Sequence, residues 1–183
     1  MSNPKPHPEV VNAQPATLIV GWGHVGQQVG RYFIEAHHVD VDGIVCSANG
    51  DVAEQPEQYT LGFICVPTPE GAGGRCDTSI VREAYNRWEH RARYWCVKST
   101  VEVGTTERLG KNVCFSPEYY GETLGHPLRD AMPFIILGGP PDVTRAFAEA
   151  WTLVTNAYTH IYQTDARTAE LCKLMENSWL ATK

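Results

Sequence analysis

From Ala16 onward the chain alternates short apolar, β-branched runs with longer stretches in which apolar positions recur every three or four residues. The first pattern reads as strands buried in a sheet and the second as helices laid over it, so their alternation predicts a parallel sheet with covering helices. The strand segments are TLIVG (17–21), one strand within VDVDGIVCS (39–47), LGFICVP (61–67), RYWCVKST (93–100), NVCFSPE (112–118), PFIILGG (133–139) and AYTHIYQ (157–163). LGFICVP is apolar throughout, as a strand covered on both faces must be. Helices are expected from His24 to about Ala36, from an N-cap at Asp77 through SIVREAYNRWEHRA, from Pro140-Pro141 to about Leu153, and along DARTAELCKLMENSWLATK. Between Ser47 and Thr60 there is room only for a brief, Pro56-interrupted turn or helix, so the first half of the sheet is expected to be trimmed. The N-terminal stretch MSNPKPHPEVVNAQP is polar and Pro-punctuated and reads as a flexible tail. The expected organisation is a tail over 1–16, one α/β domain over 17–163, and the start of a connecting helix over 164–183.

The passage IVGWGHVGQQVG places Gly21, Gly23 and Gly26 in the spacing G-x-G-x-x-G between an apolar strand and an amphipathic helix. In that setting each glycine has a task. Gly21 permits a tight turn, Gly23 lets backbone approach a pyrophosphate, and Gly26 lets the helix pack close to the sheet. His24 and Val25 then begin the helix, whose unpaired N–H groups and dipole favour phosphate. The expected architecture is therefore a Rossmann-like, doubly wound, mainly parallel sheet binding a dinucleotide. Such sites also use an acid about 20 residues on to hold the adenosine ribose. Asp40 and Asp42 bracket that distance, and Asp42 is the provisional choice; a strand running on to Cys46 would instead present Ser47 or Asn49. No Lys or Arg lies between Arg31 and Arg75, which favours NAD over NADP.

Composition narrows the class further. With 183 residues, 43% hydrophobic and 20% charged, the chain can bury a real core. A net charge of -6 without a local Lys/Arg cluster argues against nucleic-acid binding. No apolar run reaches the roughly 20 residues of a membrane span, and the N-terminus lacks a signal peptide's apolar core. Six cysteines include no C-x-x-C pair, and Cys65, Cys96 and Cys114 fall inside apolar runs, which suits reduced thiols in a cytoplasmic protein. The histidines show no zinc-ligand spacing, so no metal is expected.

Ligands in such sheets bind beyond the carboxyl ends of the strands, which here are followed by VPTP (66–69), STVEVGTT (99–106) and SPEYYGE (116–122), with AELCKLMEN (169–177) on the last helix. In this order, behind the glycine turn, the four motifs resemble the N-terminal half of the UDP-glucose/GDP-mannose dehydrogenase family. GHPLRDAMPFIILGG also follows the family pattern through Asp130 and Pro133. The resemblance implies NAD-dependent oxidation of the C6 alcohol of a nucleotide sugar toward the uronate, a precursor in polysaccharide biosynthesis. It implies that Thr100 and Glu118 position water and the reacting carbon, that Glu122 lines the sugar pocket, and that Lys173 and Asn177 hold an oxyanion. Pro67, Thr68 and Thr100 would border the cofactor. Physical chemistry agrees on the helix: Lys173 and Asn177 are four apart, hence on one face, and a cation with an amide donor suits developing negative charge. Glu170 shares that face and is expected to tune Lys173.

The family's second oxidation uses a cysteine in a separate C-terminal domain, and none of the six cysteines matches that motif. A truncated enzyme or a short natural homologue would both account for this. A non-catalytic dinucleotide-binding module and a stand-alone hydride-transfer enzyme resembling β-hydroxyacid dehydrogenases are the alternatives. The family's dimer contacts lie largely outside this chain, so a homo-oligomer stays open.

Overall fold

The computed structural model describes residues 14–119 and 132–182. Eight strands form one sheet: β1 (Thr17–Val20), β2 (His37–Val39), β3 (Val45–Cys46), β4 (Tyr59–Ile64), β5 (Ala92–Val97), β6 (Val113–Phe115), β7 (Phe134–Gly138) and β8 (His160–Thr164), in the order β3-β2-β1-β4-β5-β6-β7-β8. β2, β1, β4, β5 and β6 are mutually parallel. β7 runs antiparallel to β6, with Phe115 opposite Gly138, and carries β8 parallel to itself. The helices are α1 (His24–Tyr32), α2 (Ser79–Trp88), α3 (Thr105–Leu109), α4 (Pro141–Val154) and α5 (Ala166–Ala181). The sheet is mostly parallel and wound on both sides, as the pattern predicts.

Strand alternation divides the core in two. Leu18, Val20, Ile64, Trp95 and Val97 share one cluster with Tyr85 of α2 and Ala169 of α5. Ile19, Phe63 and Cys96 face the other way and join Val29 of α1 and Phe33 just past its end with Phe147 and Trp151 of α4. Both sheet faces are therefore sealed, which is why β4 carries no polar residue from Leu61 to Ile64.

Three boundaries differ from expectation. Helix α1 stops at Tyr32 rather than near Ala36, because Phe33 leaves the helical region and the Ala36 N–H bonds back to Phe33 O at 2.9 Å. The second strand lies earlier, at His37–Val39, because the turn Asp40 to Gly43 follows it at once: the Gly43 N–H reaches Asp40 O at 2.9 Å and Gly43 takes φ +72°. Its return arm is β3, antiparallel to β2. A short hairpin thus stands where a full strand–helix–strand unit would, which is the trimming that the 47–60 segment announced. Finally, α2 begins at Ser79 with Thr78 at the N-cap position, while the Asp77 carboxylate accepts from the Ser79 N–H at 2.9 Å and sits below the usual carboxylate range on account of hydrogen bonds from Ser79.

Candidate functional site

Past the carboxyl ends of β1 and β4 lies a cleft of about 550 Å³, lined by Gly21, Gly23, Asp40, Val41, Cys65, Pro67 and by Glu83, Ala84 and Arg87 of α2. The glycines are distinguished by their surroundings. Gly21 has φ +94°, and a Cβ there would meet Cys65 O at 2.7 Å. A Cβ at Gly26 would stand 2.0 Å from Gly21 O, so the helix can start here only without a side chain. A Cβ at Gly23 would meet nothing within 4 Å: this residue presents bare backbone to the cleft. His24 Nε2 is a buried ring nitrogen with no hydrogen-bond partner among the described residues. A turn built for backbone approach, with an unsatisfied polar atom beside it, fits the pyrophosphate of a dinucleotide. Val25 follows in the first turn of α1 and packs against the core on that side.

Asp40 immediately follows β2 and lines the cleft. Asp42, the provisional ribose ligand, lies outside the cleft lining and accepts from the Ile44 N–H at 3.0 Å, stabilising the turn. Pro67 borders the cleft, with Thr68 half-buried next to it. Trp22, inside the turn, faces the other way. Its indole stacks on His38 with ring centroids 3.8 Å apart, and Gly30 is small because a Cβ there would lie 2.5 Å from that indole.

Next to the cleft the strand ends are tied together by side chains. Ser99 Oγ donates to Val66 O at 2.6 Å, joining β5 to β4. Lys98 Nζ donates to Ser116 Oγ at 3.2 Å, joining β5 to β6. Lys98 is buried, which pushes its ammonium below the ordinary lysine value, partly opposed by Cys96, Cys65 and Glu118. The signal for it was a lysine in an otherwise apolar run. Cys65, in the cleft lining, is pushed up by burial and is held as the neutral thiol.

Beyond β6, Lys173 reaches from α5 to Glu118. Its Nζ donates to Glu118 O at 2.6 Å and stands 3.1 Å from Glu118 Oε1 and 3.4 Å from Glu176 Oε2, over the Tyr119 ring at 5.3 Å. The pair is secluded, with side-chain exposures of 8% for Lys173 and 18% for Glu118. Tyr119 is pushed up to about 12, first by burial and then by the carboxylates and thiol around it, so it stays neutral. The structure thus brings Lys173 and Glu118 together. Asn177 lies one turn further along α5, exposed, and Glu122 and Asp130 fall outside the described residues.

Glu170 does something other than expected. It is fully buried, and its carboxylate accepts from the Gly104 N–H at 2.5 Å, the Thr106 N–H at 2.8 Å and Thr106 Oγ1 at 2.6 Å. It secures the loop that follows β5, on which Thr100 sits half-buried, rather than Lys173. The motif AELCKLMEN contained it, but its partners lie more than sixty residues away.

The cleft, the glycine turn and the topology define a Rossmann-type dinucleotide-binding domain. Residues 41–119 match the family model described as the NAD-binding domain of the UDP-glucose/GDP-mannose dehydrogenase family. Over those residues the chain carries the match to that family's NAD-binding domain, and NAD is the cofactor the match gives. The chain is 31% identical over 157 residues to the UDP-N-acetyl-D-mannosamine dehydrogenase of Methanocaldococcus jannaschii, covering 76% of this chain and 35% of that protein. It is 34% identical over 143 residues to UDP-glucose 6-dehydrogenase YwqF of Bacillus subtilis, covering 69% and 32%. Among solved structures, a UDP-glucose dehydrogenase from Pyrobaculum islandicum superposes with TM-score 0.72 at 21% identity, covering 94% of this chain and 51% of that one. The Staphylococcus aureus UDP-N-acetyl-mannosamine dehydrogenase Cap5O gives TM-score 0.71 at 23% identity, covering 90% and 51%. The chain therefore spans about a third of the length of these curated relatives and about half of the solved chains. Among the described residues no helix is long and apolar enough to cross a membrane.

Proposed function

We propose that the chain is the NAD-binding portion of a nucleotide-sugar 6-dehydrogenase, which oxidises the C6 alcohol of a UDP- or GDP-sugar toward the uronate. The observation that carries this reading is the secluded Lys173–Glu118 pair, 3.1 Å apart, at the strand ends next to the dinucleotide cleft. An ammonium fixed by a backbone carbonyl and a carboxylate is preorganised to stabilise negative charge developing on a substrate oxygen. Asn177, one turn on, would add an amide donor as substrate enters. Glu118 and Thr100 would place water and the reacting carbon, with Glu122 on the sugar. Gly21, Gly23, His24, Val25 and Gly26 would hold the pyrophosphate, and Pro67, Thr68 and Thr100 would border the nicotinamide half. Asp40 would take the ribose in place of Asp42, since Asp40 lines the cleft and Asp42 lies outside its lining. The cofactor contributes hydride acceptance from the alcohol carbon.

The test is calorimetric titration with NAD, followed by a screen of UDP- and GDP-sugars for NADH production. Binding of NAD by the chain is expected, and NADH formation with one sugar class when a C-terminal domain of the family is supplied, with Lys173→Met lowering that rate by roughly a hundredfold or more, the scale of losing one oxyanion donor. NAD binding without NADH from any sugar, even with a C-terminal domain of the family supplied, would mark a non-catalytic module. A Lys173→Met protein that keeps its full rate would remove Lys173 from the chemistry.

A further inference from the structure

The ribose end of the cleft holds a cation that the local sequence does not supply. No Lys or Arg lies between Arg31 and Arg75, but the fold carries Arg87, near the end of α2, into the cleft lining together with Asp40 and Val41. Its guanidinium rests on the Asp40–Gly43 turn: a Cβ added to Gly43 would lie 2.2 Å from one of its terminal nitrogens. The turn admits this approach because position 43 is a glycine, at φ +72°. Arg87 is steadied by the ring of Trp88, 5.4 Å from its guanidinium carbon. Among the described residues no side chain or carbonyl accepts a hydrogen bond from it and no carboxylate pairs with it. A planar fork of donors is thus presented, unspent, beside the residue that would hold the ribose hydroxyls.

We propose that Arg87 is a binding residue for a 2′-phosphate on the adenosine ribose, and that this cleft accepts NADP as well as NAD. Guanidinium and phosphate match in geometry and charge, and a bidentate contact is the strongest that a single side chain offers to phosphate. Asp40 opposes it, and so does Glu83, four residues before Arg87 on α2 and in the same lining, because carboxylates repel a 2′-phosphate. That repulsion is moderated by solvent: Asp40 is exposed, and the Val41 N–H at 3.0 Å is the donor that fixes its carboxylate. Arg87 and the two exposed carboxylates therefore set cofactor preference in opposite directions. The proposal rests on the cleft being the adenosine end of the dinucleotide site.

Calorimetric titration of the chain with NAD and with NADP, at low and moderate salt, tests it. NADP is expected to bind within about tenfold of NAD. Arg87→Ala should weaken NADP by roughly tenfold or more and NAD several-fold less, with the NADP loss shrinking as salt rises. Arg87→Lys should fall between, since it keeps the charge and loses the fork. Asp40→Ala should act in reverse, weakening NAD and strengthening NADP. Arg87 is exposed, so these variants leave the core intact. Binding of NAD with no binding of NADP at millimolar concentration would overturn the proposal while leaving the cleft assignment standing. So would an Arg87→Ala protein with unchanged NADP affinity. Failure to bind either dinucleotide would overturn the cleft assignment and the proposal with it.

Discussion

At the scale of single residues, the three glycines of the turn are separable by experiment because each is small for a different reason. Gly21 is fixed by its backbone angle and by Cys65 O, and Gly26 by Gly21 O; both contacts are with main chain that cannot move aside. Gly23 has ordinary extended angles and open space where its side chain would be. Gly26→Ala should therefore destabilise the fold, by an amount on the order of the 1–3 kcal/mol typical of overpacking. Gly23→Ala should leave the melting temperature within a degree or so of the parent, yet weaken NAD by tenfold or more as the methyl enters the space that the pyrophosphate needs. Melting curves with and without NAD would separate the two, and equal loss of stability in both variants would refute this division of labour. These residues were legible in the sequence because their roles depend on a few neighbouring positions. Asp40 and Asp42 were not told apart, because the choice turns on where β2 ends, and that is decided by the hairpin. Arg87 was invisible for a related reason: α2 delivers it from outside the interval in which a basic partner was sought.

At the scale of elements, α5 links the two halves of the site. Its N-terminus is capped by Asp165, whose carboxylate accepts from the Thr168 N–H at 2.9 Å and is drawn below the usual carboxylate range by the Thr168 hydroxyl and N–H. Gly138 lets the helix approach β7, for a Cβ there would meet Asp165 O at 2.5 Å. One face of α5 then buries Ala166, Ala169, Glu170 and Lys173, while Leu171, Met175, Trp179 and Leu180 are exposed. Glu170 and Lys173 are three apart and reach different targets, the loop after β5 and the loop after β6. This explains why the helical spacing announced a functional face but misassigned Glu170. Periodicity gives the face, whereas the partner is set by which strand end lies opposite. Glu170→Gln keeps the size but replaces an acceptor by a donor facing N–H groups, so the loop bearing Thr100 should loosen. We expect a loss of about 1–3 kcal/mol for the unsatisfied buried groups, seen as a lower melting temperature and faster amide exchange at Gly104 and Thr106. Unchanged exchange at those two amides would show that the loop holds itself.

At the scale of the whole molecule, stability and the cofactor cleft meet in β2. This three-residue strand carries His37 and His38 next to each other, and burial lowers the pKa of both rings from the ordinary histidine value. For His38 the Asp40 and Asp42 carboxylates oppose the shift and His37 reinforces it, while Trp22 covers its ring. The sign follows from proton counting: a group whose folded pKa lies below its unfolded value of about 6.5 binds fewer protons when folded. Stability is then full above that unfolded value and declines as pH falls below it, until the folded ring also takes a proton. The fold should therefore lose stability between about pH 6.5 and the folded pKa, before the bulk of its carboxylates titrate. His38→Phe keeps an aromatic ring under Trp22 and removes the titration, so its melting temperature should fall less steeply over that interval than the parent's. Because Gly21 bonds to Val39 O at 2.8 Å, the same strand anchors the glycine turn, and weakening of NAD should accompany the parent's decline in acid. A His38→Phe protein with the parent's full pH slope would assign the acid sensitivity elsewhere, with His37, whose Nδ1 is 2.7 Å from the Tyr59 hydroxyl, as the group to vary next.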